Sequence, residues 1–151
     1  MSDNNRAELR KLMTHCRQAT LAVVENGEPF TAMVSYALDV DGVSLLIHLS
    51  NLSAHKRQLL AHPHCSVLIC QPDTGTGEVL ALQRVSIQGT AQRLDKSGPA
   101  YGAAKTAYLA KLPTSAIMFS LPDFDLFRIT PHSGRYIAGF GRAFTLTAAD
   151  F

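Results

Sequence analysis

The chain has 151 residues, of which 46% are apolar and 17% charged, a balance that predicts one folded domain over 1–151 and excludes a disordered or fibrous chain. Fourteen basic against twelve acidic side chains leave +2, too little for a general nucleic-acid or membrane-surface binder. The longest apolar runs, such as Val43–Ile47, fall far short of the roughly 20 residues of a membrane span.

The N-terminal stretch is polar and mixed in charge, unlike a secretion leader. Leu9, Leu12, Met13 and Cys16 then follow helical spacing, with a cap expected among Asp3, Asn4 and Asn5. The period changes at Thr20. Thr20–Glu25 and Pro29–Leu38 read as strands joined by Asn26-Gly27, a strong hairpin signal, and a turn at Asp39–Gly42 leads into Val43–Leu49. These three strands predict an antiparallel meander. A short helix is predicted from Ser53 to about His62, stopped by Pro63. Cys65–Cys70 reads as a fourth strand and Leu80–Leu94 as a long fifth one, bent near Gly89. Pro99–Leu112 is a second substantial helix. Phe124–Thr130 and Arg135–Phe140 read as a last strand pair around Pro131–Gly134. The fold class expected is mainly β, a small barrel with peripheral helices. Cys16, Cys65 and Cys70 are an odd number without a CxxC pair, which predicts reduced thiols and a cytoplasmic setting.

The most informative stretch runs from Leu45 to Leu60, where an apolar strand feeds a polar turn and then a helix. His55, Lys56 and Arg57 fall in the first turn of that helix, beside Ser50 and Ser53. Unpaired backbone N–H groups and the helix dipole already favour an anion there, and the cations need one. A phosphate monoester fits that chemistry. A solvated basic helix face is the plainer alternative. The other histidines carry less: His62 and His64 flank Pro63 without a third ligand, and His132 falls in the expected turn, so no metal site is predicted.

The stretch from Leu49 to Ile69 resembles the strand–turn–helix–strand signature of the pyridoxamine 5′-phosphate oxidase-like, FMN-binding split barrels. The similarity runs from the hairpin before Tyr36-Ala37-Leu38-Asp39 to Gly139-Phe140-Gly141-Arg142-Ala143, and within that family it is strongest to the haem-utilisation branch. The resemblance implies FMN as cofactor. It places the phosphate at Ser50, His55 and Lys56, with Ser53 and Arg57 nearby, and the ring along Met33, Val34 and Ser35. Arg84 falls where a side chain reaches the flavin pyrimidine, where a cation favours reduced flavin. A homodimer with FMN at the subunit interface is also implied, with Phe140 and Arg142 as covering residues. Thr31 and Tyr36 stand where the vitamin B6 oxidases carry basic residues, and the chain has no Trp, so B6 oxidation is rejected.

The function expected is thus FMN-dependent electron or hydride transfer to a small-molecule substrate, with no convincing general acid or base. The alternative is a haem-binding or haem-utilisation protein on the same fold.

Overall fold

Alternation of inward and outward side chains from Gln18 onward builds one curled antiparallel sheet, seen in a computed structural model that describes residues 1–151. Its eight strands are β1 (Gln18–Glu25), β2 (Glu28–Ser35), β3 (Ala37–Leu38), β4 (Leu45–Leu49), β5 (His64–Cys70), β6 (Arg84–Arg93), β7 (Asp125–Gly139) and β8 (Arg142–Thr147). Three α-helices flank the sheet: α1 (Asp3–His15), α2 (Ala54–Ala61) and α3 (Tyr101–Lys111). The order is β2-β1-β5-β6-β7-β4-β3, with β8 on β7 off this path.

Leu21 and Val23, Val67 and Ile69, and Val85 and Ile87 alternate inward and join Leu9, Leu12 and Met13 of α1 in the main core. Each such large side chain contributes roughly 1.5–3 kcal/mol by leaving water. A second, smaller cluster lies on the other side of the sheet, where Ala37, Leu46 and Leu126 meet Ala104 and Tyr108 of α3. The expected class, mainly β with peripheral helices, is what these residues form, the sheet curling into a half-barrel. No helix is long and apolar enough to cross a membrane.

Four elements differ from expectation. Ser2 caps α1, its hydroxyl accepting the Asn5 N–H at 3.3 Å, in place of Asp3–Asn5. The opening strands are not a simple meander, because β4 pairs with β7 and the β3–β4 pair lies at the far end of the strand order from β2. The chain leaves β2 at Tyr36, which is fully buried and donates its hydroxyl to the Met13 carbonyl at 2.6 Å. The first part of Leu80–Leu94 is a 3-10 turn at Val79–Ala81, and the strand starts at Arg84. Finally, Pro131–Gly134 is not a turn: β7 runs through it, and the hairpin closes on β8 instead.

Both faults in the last strand pair have a physical cause. Gly89 pairs with Pro131 and Gln88 with Ser133, so His132 is an extra residue in a bulge. A bulge interrupts the ladder, and a proline without an N–H is tolerated there. The bend expected near Gly89 falls at this register shift. The true turn uses Gly139 at φ +144° and Gly141 at φ +74°, a region closed to most side chains.

Candidate functional site

β4 delivers Ser50 to the turn before α2, and Ser53 sits at the N-cap with no side-chain cap bond. The Ser50 hydroxyl accepts the Leu52 N–H at 3.3 Å. Ser50, Ser53, His55 and Lys56 are therefore gathered at one helix end, as expected for an anion site. His55 is partly buried, and that burial pulls its imidazole below the usual histidine range. Arg57 turns away: it pairs with Glu25 of the β1–β2 hairpin at 3.1 Å, and Gln58 reaches the other oxygen of that carboxylate at 2.6 Å.

Lys56, expected at a phosphate, is paired within the chain. Its side chain is 5% exposed, and its ammonium donates to Asn51 Oδ1 at 2.7 Å and to the Asp123 carbonyl at 2.6 Å. The Asp125 carboxylate lies 2.8 Å away and completes the set. An ammonium has three donors, and here each faces an acceptor of the chain itself. A flavin phosphate at this end of α2 would have to displace Asp125, because the one buried cation there is already neutralised. Asp125 was not found from sequence. It sits at the start of β7, where nothing in the local pattern links it to the turn before α2.

Of the residues expected along the flavin ring, Val34 points into the core while Met33 is 72% exposed. The Ser35 hydroxyl lies 3.0 Å from that of Tyr108 on α3. Tyr108 in turn neighbours His48 on β4, the ring centroids being 5.9 Å apart. Ser35 and the end of β4 thus share one aromatic wall. His48 is stacked on Phe119 at 3.9 Å, and both its ring nitrogens are buried without partners. Burial, reinforced by Lys96, pushes its pKa down to about 4, so it is a neutral imidazole at pH 7. Its alternate place beside Leu46 is the one sequence signal for this wall.

Arg84, Phe140 and Arg142 lie elsewhere. Arg84 donates to the carbonyls of Leu80 and Leu82 at 3.0 and 2.9 Å. Arg93, at the other end of β6, is 3.8 Å from Asp125. The strand between them is about 30 Å long at roughly 3.3 Å per residue. Arg84, expected at the pyrimidine rather than at the phosphate, thus stands at the end of β6 remote from Asp125. Arg142, expected as a covering residue, is held on α1 by Glu8 at 3.1 Å and Asn5 at 2.5 Å. Phe140 is 80% exposed at the tip of the β7–β8 turn.

A surface trough of about 670 Å³ opens where α1 meets β1 and the end of β5, lined among others by His15, Cys16, Arg17, Cys70 and Leu82. A neighbouring cleft of about 420 Å³ shares His15 and Cys16 and adds Lys11. His15 Nδ1 is 2.8 Å from the Lys11 carbonyl. A carbonyl only accepts, so Nδ1 carries the proton and Nε2 of the neutral ring keeps its lone pair. Sequence reasoning did not select His15, since a helix-end histidine has no motif around it.

A family profile described as pyridoxamine 5′-phosphate oxidase matches residues 6–138. The chain is 36% identical over 127 residues to the chloroplastic haem oxygenase HOZ of Arabidopsis thaliana, covering 83% of this chain and 37% of that protein. It is 23% identical over 146 residues to the haem oxygenase HutZ of Vibrio cholerae, covering 95% of this chain and 81% of that one. A haem-binding protein from Mycobacterium smegmatis superimposes with a TM-score of 0.85 at 26% identity, over 99% of this chain and 60% of that one. The chain thus spans little more than a third of the Arabidopsis protein and about three fifths of the mycobacterial one.

Proposed function

The chain belongs to the pyridoxamine 5′-phosphate oxidase family, and from that premise we propose that it is a haem-binding, haem-utilisation protein rather than a flavin oxidoreductase. The observation that carries this reading is the internal pairing of Lys56 with Asp125, which leaves the flavin phosphate without its buried cation. The haem names of the relatives, at 36% and 23% identity, support the same direction.

The trough at the end of α1 suits haem chemically. His15 offers an imidazole Nε2 lone pair to iron, fixed in tautomer by the Lys11 carbonyl. Lys11 and Arg17 stand ready for carboxylates, and Cys16 and Leu82 supply softer wall. When bound, haem supplies an iron centre for electron transfer and oxygen chemistry. The chain's part is to hold and orient it.

Haem titration of the purified protein should give a stoichiometric Soret band. His15→Ala should weaken haem binding at least about tenfold, roughly 1.4 kcal/mol. Loss of the band on adding a reductant in air would identify a degrading enzyme, whereas a stable band would identify a carrier or sensor. No Soret band in the wild type would overturn the reading.

A second reading keeps FMN and a small-molecule substrate, with flavin-mediated electron or hydride transfer. Its support is the Ser53 hydroxyl and the His55 imidazole at an α2 terminus with no acidic residue in its first turn. That reading carries with it a homodimer with FMN at the subunit interface, as the family resemblance implies. An absorbance titration with FMN tests it directly.

A further inference from the structure

We propose that Asp125 is an internal anion that closes the N-terminal site of α2 against phosphate ligands, and so decides which cofactor this barrel accepts. The argument starts from the helix. α2 carries His55 and Lys56 in its first turn and no acidic residue there, so its dipole and its side chains both call for negative charge. The chain supplies that charge from another element. Residues 123–125, leading into β7, lie across the turn that precedes α2. Asp123 accepts the Asn51 N–H at 3.2 Å through its carboxylate and the Lys56 ammonium at 2.6 Å through its carbonyl. Asp125 adds its carboxylate to the same ammonium at 2.8 Å.

Two further cations face Asp125, Lys96 at 3.6 Å and Arg93 at 3.8 Å. Burial tends to raise the carboxyl, but the Lys56 hydrogen bond and these three positive charges hold it below the usual carboxylate range. Asp125 is thus ionised at neutral pH. Three cations around one carboxylate are what a phosphate site looks like with an aspartate in the phosphate's place. An incoming phosphate meets a like charge, and the Lys56 donors are already taken. Removing the charge from Asp125 while keeping its shape leaves Lys56, Lys96 and Arg93 without their anion. The inference does not rest on haem binding, since it concerns a different part of the surface from the His15 trough.

The test compares FMN with riboflavin, which lacks the phosphate, by quenching of flavin fluorescence in wild type, Asp125→Asn and the double variant Asp125→Asn/Lys56→Met. Wild type should bind the two flavins within about threefold of each other. Asp125→Asn should bind FMN at least tenfold more tightly than wild type does, with riboflavin unchanged, and the double variant should lose the gain. Wild type preferring FMN over riboflavin tenfold or more would overturn the proposal, as would a folded Asp125→Asn with no gain. Far-UV circular dichroism checks folding. If Asp125→Asn does not fold, Asp125→Ser, which leaves room for a phosphate, takes its place under the same criteria. Haem titration of Asp125→Asn separates the two ideas: an unaltered Soret band beside absent FMN gain would sink this inference alone.

Discussion

An unpartnered imidazole inside a protein is a pH liability, and His48 shows how it is tolerated. Its ring lies 14° from parallel with Phe119 and near Phe124, so the neutral form packs as an aromatic. Protonation would place a charge where neither nitrogen finds an acceptor. The folded pKa near 4 lies below the ordinary 6.5, so the unfolded chain binds more protons between those values. Stability is then fully present above about pH 6.5 and is lost as pH falls toward 4. Allowing for solvent screening of a partly exposed ring, the loss should be about 1–2 kcal/mol. Urea midpoints at pH 7.5 and 4.5 should differ less for His48→Phe than for wild type, and equal differences would refute the assignment. The residue scale also marks the limit of sequence reading at the site. The donors from Ser50 to Arg57 are contiguous and were legible, but their anion comes from β7 and was not. Lys56 therefore looked free in the sequence and is paired in the fold.

At the scale of elements, local chemistry was a good guide wherever it acted locally. Asn26 and Gly27 both adopt positive φ, at 51° and 79°, and the hairpin they close matches its sequence signal. β8 escaped notice because its signal is short: only Phe144 and Leu146 alternate with Thr145 and Thr147, and of its six residues only Leu146 is buried. β7 was split because Pro131 breaks a strand pattern unless a bulge receives it. That bulge depends on Gly89, where a Cβ would come within 2.7 Å of Ile129 Cγ2 and 2.9 Å of the Thr130 carbonyl oxygen. Gly89→Ala should therefore destabilise the fold by about 1–3 kcal/mol, the range for an overpacked core. Gly102 on α3 is the matching control, since a Cβ there meets nothing within 4 Å. Gly102→Ala should stabilise by roughly 0.5 kcal/mol through helix propensity. Chemical denaturation of the two variants checks both signs, and a neutral Gly89→Ala would show that the bulge can relax.

For the whole molecule the open question is what covers the outer wall of the sheet. Met33, Thr20, Leu68, Ser86, Arg135 and Thr145 stand in one register row across β2, β1, β5, β6, β7 and β8. Met33 is 72% and Leu68 38% exposed, and Arg135 is drawn to Thr145 at 2.9 Å, which leaves the centre of the row uncharged. Exposed apolar side chains set in small, neutral neighbours are what a self-complementary two-fold contact requires. Phe140, Val79 and Leu80 form a second exposed apolar group around the β7–β8 turn, available to reach over a partner. We therefore expect a homodimer packed through the wall, with Phe140 rather than Arg142 as the residue offered across it. Sedimentation at low micromolar concentration should give a mass near twice 16.4 kDa. Met33→Glu combined with Leu68→Glu would bring four carboxylates together across the two-fold axis and should yield a folded monomer. Phe140→Glu should weaken the dimer less, because a turn tip lies at the rim, where contacts contribute less than at the desolvated centre. A wild-type monomer would remove the wall from consideration, and with it any flavin site shared at a subunit interface.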